Sequence, residues 1–98
     1  MHGHSYRLEV AVHGPLQTQG PSSGMVEDFD RIERIVAEHI LDALDHRHLN
    51  DLIDNPTVEN IALWVWERLE SGLPRLDEIV VWETATCSAT LRRTDIAR

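Results

Sequence analysis

The sequence predicts a single α+β domain in which an antiparallel sheet carries two helices on one face. Residues 4–13 alternate between apolar and polar side chains, the pattern of a half-buried strand. Residues 30–44 and 57–69 carry apolar side chains at helical spacing. Two further apolar segments, residues 78–84 and 87–93, are separated by a short turn typical of a hairpin. The predicted order is therefore β-α-α-β-β.

The first strand is defined by its alternation and by the loop that follows it. Its apolar face carries Tyr6, Leu8 and Val10, and the same alternation puts His2 and His4 on that face. Residues 14–24 are rich in Gly, Pro and small polar residues, which predicts a loop before the first helix.

Capping residues define the two helices. Asp30, with Glu33 three residues later, predicts the start of the first helix, which we expect to run to about Leu44. Thr57, directly after Pro56, predicts the start of the second helix.

The second helix is predicted to end near Gly72, a plausible C′ residue. Trp64 and Trp66 flank its apolar stripe, and we expect them to serve in packing or in a subunit interface rather than in a ligand cage.

Charge and composition limit the classes of function. The chain has 98 residues and a formal net charge of −8, and its nine basic residues are all arginine, with no basic stripe. Nucleic acid is therefore not expected as a partner. No apolar run is long enough to span a membrane, and no signal peptide is apparent. The single cysteine, Cys87, excludes an internal disulfide framework and fits a cytoplasmic location.

His2 and His4 are the first candidate site residues. Imidazoles on alternate residues of a strand lie on one face and form half of a zinc site. The alternative is a chance pair of histidines at a chain terminus, since two ligands alone hold zinc weakly.

Asp45 and His46 follow the first helix. A carboxylate beside an imidazole can orient the ring and raise its basicity, as a general base requires. The alternative is a surface helix end, where a protonated histidine is favoured by the helix dipole.

Glu83 interrupts an apolar strand on the face of Ile79 and Val81. A carboxylate there is costly to bury without a partner, and a heterocycle edge with two adjacent N–H donors is one such partner. The alternative is a solvated strand end. Cys87 has no basic neighbour in sequence and is expected to be structural rather than nucleophilic.

Five segments in this order resemble the 6-pyruvoyl-tetrahydropterin synthase family, and especially its bacterial 6-carboxy-tetrahydropterin synthases of queuosine biosynthesis. The segments are HGHSYRLEV, GMVEDF, LDHRHLND, NPTVENIA and VVWETAT, and the similarity covers nearly all of residues 2–91. The resemblance implies the tunnelling fold (T-fold), with subunits joined edge to edge into trimers or hexamers and active sites at subunit interfaces.

The resemblance also implies an activity. Members of this kind are zinc-dependent lyases that convert 7,8-dihydroneopterin triphosphate to 6-carboxy-5,6,7,8-tetrahydropterin, acetaldehyde and triphosphate. His2 and His4 match the zinc ligands, and Asp45 and His46 match the catalytic proton shuttle.

Glu83 matches the carboxylate that anchors the pterin, and Thr84 beside it is expected to help bind the substrate. Two alternatives remain open within the resemblance. One is a related synthase with a 6-pyruvoyl or 6-hydroxymethyl product. The other is an inactive homologue that binds a pterin or purine.

The chain departs from the family pattern in one respect. The family has a further N-terminal strand with a third zinc histidine, and a nucleophilic cysteine four residues before its HGH motif, and these positions would precede Met1. Cys87 does not match that nucleophile. A truncated sequence, a natural short homologue and donation by a neighbouring subunit are the explanations that the sequence leaves open.

Overall fold

The computed structural model describes residues 6–44 and 49–96. In chain order its elements are β1 (Arg7–Val12), α1 (Phe29–Val36), a π-helical turn (Ala37–Leu41), α2 (Asp42–Leu44), α3 (Leu49–Leu52), α4 (Val58–Leu69), β2 (Leu76–Trp82), β3 (Ser88–Arg92) and a 3-10 turn (Arg93–Asp95). The predicted α+β class is confirmed, and the strands and the two predicted helices follow the β-α-α-β-β order, with α3 as an additional short helix between them.

The three described strands form one antiparallel sheet in the order β1-β2-β3. The register pairs Arg7 with Trp82 at one end of β1 and β2. At the other end it shifts between Ala11 and Val12, so Asp77 is an extra residue on β2. Such a bulge increases the local twist of the sheet. The strand predicted over 78–84 therefore begins earlier, at Leu76, and ends before Glu83.

One face of the sheet packs against the helices and the other faces outward. The helix-side face of β2 carries Ile79 and Val81, which are buried. Exposure alternates along β1 and β3 with the predicted period of two. The core consists of Ile35, Ile40, Ile61, Ala62, Val65, Trp66, Leu69, Leu73, Leu76, Ile79 and Val81. Burial of these side chains is the main force that holds the helices on the sheet.

Helix α1 begins earlier than its sequence predicts. Asp28, rather than Asp30, is the N-cap, and its side chain accepts a hydrogen bond from the backbone N–H of Asp30 at 2.9 Å. Two acidic residues two positions apart can both cap a helix, so the capping pattern alone does not separate them. The helical course continues to Leu44, as predicted.

Helix α4 begins as predicted, because the Thr57 hydroxyl accepts from the backbone N–H of Asn60 at 3.1 Å. Trp66 belongs to the core rather than to its margin, since it is fully buried. The predicted C′ role of Gly72 is wrong, because the C-cap is Glu70 and Gly72 lacks a positive φ. A Cβ on Gly72 would lie 3.3 Å from the side chain of Ile35, so glycine allows close packing there.

Arg93 and Arg31 donate hydrogen bonds to the segment that connects α4 to β2. The Arg93 guanidinium donates to the carbonyls of Leu76 and Pro74, at 2.6 and 3.1 Å, and lies over the ring of Trp66. Arg31 of α1 donates to the Gly72 carbonyl at 3.0 Å. Both contacts satisfy carbonyls at the α4–β2 connection. Within the described residues, no helix is long and apolar enough to cross a membrane.

Candidate functional site

Two of the predicted site residues, Glu83 and Thr84, lie within the described residues. His2, His4, Asp45 and His46 lie outside them.

Glu83 is the first residue after β2, and its side chain is exposed. Its backbone N–H donates to the carbonyl of Cys87 at 2.9 Å, which closes the turn between β2 and β3. The carboxylate is thus held at a strand end by a hydrogen-bonded backbone. Its exposure leaves its oxygens accessible to a ligand without the cost of a buried charge.

Tyr6, the residue before β1, is the cross-strand neighbour of Glu83. Each residue is the next one beyond the registered pair of Arg7 and Trp82. Tyr6 is partly buried against the core, on the side of Leu8. Burial and then the negative charge of Glu83 raise the pKa of the Tyr6 phenol above 10.0. A carboxylate and a phenol therefore lie together at this end of the helix-side face.

Thr84 has a structural role that the sequence did not indicate. Its hydroxyl oxygen accepts from the backbone N–H groups of Cys87 and Thr86, at 3.0 and 3.3 Å. This is the local hydrogen bonding by which Ser and Thr stabilise turns. Substrate binding by Thr84 stays a prediction, and the hydroxyl hydrogen is not used by these two contacts.

The outward face beside this turn carries a shallow cavity of about 250 Å³ lined by Arg7, Trp82, Thr84 and Ala85. The Arg7 guanidinium lies 4.9 Å from the centre of the Trp82 ring. Glu9 accepts from the Trp82 indole at 2.8 Å and lies 3.5 Å from Arg7. The positive charge of Arg7 is therefore partly offset by Glu9.

The π-helical turn is followed by α2, and Asp45 and His46 come directly after α2 in sequence. The carbonyl of His39 in this turn accepts from the Arg68 side chain at 2.5 Å. The Arg68 guanidinium also lies 4.9 Å from the ring centre of Trp64 on the same helix. Neither the π turn nor this contact follows from the apolar pattern of the sequence.

The described part of the chain was searched for clusters of side chains that could bind a metal ion. Residues 6–44 and 49–96 contain no group of three His, Cys, Asp or Glu side chains that could hold a metal ion. Cys87 is a free thiol and is exposed in the turn after Glu83. The predicted pair His2 and His4 is outside this search.

The sequence of residues 1–94 matches the family model of 6-pyruvoyl tetrahydropterin synthase. The chain belongs to the 6-pyruvoyl tetrahydropterin synthase family. The match covers the candidate site residues and all the described strands, so the resemblance of the five segments is confirmed. The family is named for its pterin synthases.

Proteins with several different names are similar in sequence to this chain. The chain is 42% identical to a dihydroneopterin monophosphate aldolase of Pyrococcus furiosus in an alignment 86 residues long that covers 85% of this chain and 70% of that protein. It is 40% identical to a 6-carboxy-5,6,7,8-tetrahydropterin synthase of Synechocystis in an alignment 93 residues long that covers 91% of this chain and 72% of that protein. It is 35% identical to the human 6-pyruvoyl tetrahydrobiopterin synthase in an alignment 92 residues long that covers 85% of this chain and 60% of that protein.

A solved structure agrees with this assignment. The Caenorhabditis elegans 6-pyruvoyl tetrahydropterin synthase superposes with a TM-score of 0.79 at 29% identity, over 93% of this chain and 68% of the other. This similarity confirms the predicted T-fold for this chain.

Proposed function

We propose that this chain is a zinc-dependent lyase that converts 7,8-dihydroneopterin triphosphate to 6-carboxy-5,6,7,8-tetrahydropterin, acetaldehyde and triphosphate. Family membership and the 40% identity to a synthase of that name support the proposal. The structural observation that carries it is the exposed carboxylate of Glu83, held at the end of β2 beside Tyr6.

Glu83 is the proposed pterin anchor. A pterin presents a 2-amino group and a ring N–H side by side, and a carboxylate can accept from both. The hydrogen bond from the Glu83 N–H to the Cys87 carbonyl fixes the backbone that carries the carboxylate, which lowers the conformational cost of binding. Thr84 is proposed to help through the hydroxyl hydrogen that its turn contacts leave available.

Asp45 and His46 are the proposed proton shuttle. They directly follow Leu44, the last residue of α2. A histidine exchanges protons near neutral pH, and an adjacent carboxylate stabilises its protonated form. The pair would take a proton from the substrate side chain and return it at another atom during cleavage.

His2 and His4 are the proposed zinc ligands contributed by this stretch of chain. Two neutral imidazoles suit zinc, but zinc sites in enzymes use three protein ligands and leave one position open. We propose that a third donor completes this site, for instance one from a second copy of the chain. When bound, zinc would polarise the side-chain oxygens of the substrate and acidify the adjacent C–H.

Zinc content and turnover of the tag-free protein test this proposal. We expect about one zinc per chain by elemental analysis, together with release of acetaldehyde and triphosphate. Loss of one charge-assisted contact in Glu83→Gln should weaken pterin binding about tenfold to a hundredfold. Glu67→Gln, an exposed carboxylate on α4, is the matched control. Wild-type affinity in Glu83→Gln would contradict the anchor assignment, and pterin binding without zinc or turnover would favour an inactive binding homologue.

A second candidate reaction is aldol cleavage of a phosphorylated dihydroneopterin to a 6-hydroxymethyl pterin. The 42% identity to a dihydroneopterin monophosphate aldolase favours it. This reaction would break the bond between the first and second side-chain carbons and release a two-carbon aldehyde that keeps its phosphate. Product analysis distinguishes the two reactions, because only the synthase releases acetaldehyde and inorganic triphosphate.

Homo-oligomerisation is also proposed, as a trimer or hexamer. A chain of 98 residues buries a modest core, so association would add stability. Analytical ultracentrifugation of the purified protein measures the mass directly. A monomer at micromolar concentration would contradict this assignment.

A further inference from the structure

The helix that leads to Asp45 contains a departure from α geometry. The backbone N–H of Asp42 donates to the carbonyl of Ala37, five residues back, which defines the π turn. Such turns occur frequently at functional sites. A π turn accommodates one more residue than an α turn, so it changes the rotation of every residue that follows by about 100°.

Where a helix changes between π and α hydrogen bonding, its carbonyls can accept hydrogen bonds from other elements. In this structure the His39 carbonyl accepts from the Arg68 side chain at 2.5 Å. Arg68 lies on α4, so the contact joins two helices through residues that are 29 positions apart in sequence.

The Arg68 guanidinium is itself held in place. It lies over the ring of Trp64, one helical turn earlier on α4, at 4.9 Å from the ring centre. Arginine suits this position because its planar group can stack on an aromatic ring while its edge donates hydrogen bonds. Trp64 is partly buried against the core, which makes it a fixed support.

We propose that Arg68 is a positioning residue that stabilises the π turn at His39 and thereby fixes the course of the helix up to Leu44, the residue before the proposed shuttle pair Asp45 and His46. The proposal rests on the proposed function for its catalytic part. Its structural part concerns only the contact between Arg68 and the π turn, so the two parts can be tested separately.

The structural part is tested by hydrogen–deuterium exchange of Arg68→Met, which keeps an apolar stem but no donor. Peptides covering residues 37–44 should exchange about tenfold faster than in wild type, because loss of the contact makes local opening easier. Peptides from β2 should be unchanged. Arg34→Met, an exposed arginine of α1, is the matched control. Unchanged exchange over residues 37–44 would overturn the proposal whether or not the chain is an active enzyme.

The catalytic part is tested by kinetics. In Arg68→Met we expect kcat to fall about tenfold while KM changes less than about twofold, because the pterin anchor lies elsewhere. Arg68→Lys, which keeps a charged donor, should recover part of kcat. An unchanged kcat with accelerated exchange would overturn the positioning role while leaving the structural contact in place.

A double-mutant comparison tests whether Arg68 acts through the proposed shuttle. If it does, Arg68→Met should reduce kcat little further in an Asp45→Asn background, whereas its effect should persist in Glu83→Gln. If the loss of kcat in the double variant equals the product of the two single losses, the positioning role is overturned. Absence of any turnover in wild type would instead be a failure of the proposed function, and the exchange experiment would still decide the contact.

Discussion

Tyr6 and Glu83 lie next to each other at one end of the sheet, each directly beyond the registered pair of Arg7 and Trp82. Burial is the main cause of the raised pKa of the Tyr6 phenol, and the charge of Glu83 is the second cause. The residue that precedes the first strand therefore contributes to the environment of the proposed pterin anchor, which directly follows the second strand.

The pKa of Tyr6 should respond to Glu83. In Glu83→Gln the negative charge is gone, so the phenol should ionise at lower pH, while burial keeps its pKa above 10.0. Because the chain has one tyrosine, phenolate absorbance during an alkaline titration reports this group alone. Glu67→Gln is the control and should leave the titration unchanged. An unaltered phenol titration in Glu83→Gln would contradict the electrostatic contact.

The same shift has a consequence for stability at alkaline pH. The folded pKa is above the unfolded value of 10.0, so the folded state favours the neutral phenol. This contribution is fully present below pH 10 and is lost as the pH rises through the folded pKa. Urea unfolding at several alkaline pH values measures it. Tyr6→Phe, which cannot ionise, should remove this part of the pH dependence.

Thr84 should matter more for the turn than its exposure suggests. Thr84→Val removes the acceptor of the Cys87 and Thr86 N–H groups, and we expect a loss of about 1 kcal/mol in the free energy of unfolding. Thr84→Ser keeps the hydroxyl and should remain near wild type. Urea denaturation gives both values, and equal stability of the two variants would contradict the turn contact.

The cap of α4 offers a clean test of local structure. Thr57→Ala removes the acceptor for the Asn60 N–H and should cost about 1 kcal/mol of stability. Thr57→Ser retains an oxygen at the same position and serves as the control. Denaturant midpoints of the two variants should differ, and coincident midpoints would argue against the hydroxyl cap.

Trp66 should be the most sensitive core position of α4. It is fully buried, and its indole N–H donates to the Glu70 carboxylate at 3.2 Å. Trp66→Ala should lose about 3–5 kcal/mol, a large part of the 5–15 kcal/mol typical of a whole domain. Circular dichroism during urea unfolding measures this loss. Trp66→Phe should retain most of the stability, and a small effect of Trp66→Ala would contradict the core assignment.

Periodicity predicted the elements of this chain because burial repeats along each one. The alternation at Leu8 and Val10 identified the first strand, and the helical spacing around Ile61 and Val65 identified α4. A cap that had no competing acceptor, Thr57, was also predicted correctly. These signals are local, since each depends on residues within a few positions of each other.

The features that sequence did not predict depend on contacts between distant residues. The π turn is joined to α4 by the contact of Arg68 with His39, and no spacing rule encodes that pair. The bulge at Asp77 is visible only in the pairing of β1 with β2. The place of Glu83 after the strand could not be predicted, because the strand alternation extends through Glu83 on the face of Ile79 and Val81.

The turn that begins at Glu83 is closed by its own backbone and by Thr84, and its side chains are exposed. Replacement of a residue there leaves the buried face of the sheet untouched. Under the proposed anchor role of Glu83, single substitutions at this turn can change ligand preference while the core stays intact. A turn of this kind allows one scaffold to diversify, and relatives of this chain are named as synthases and as an aldolase.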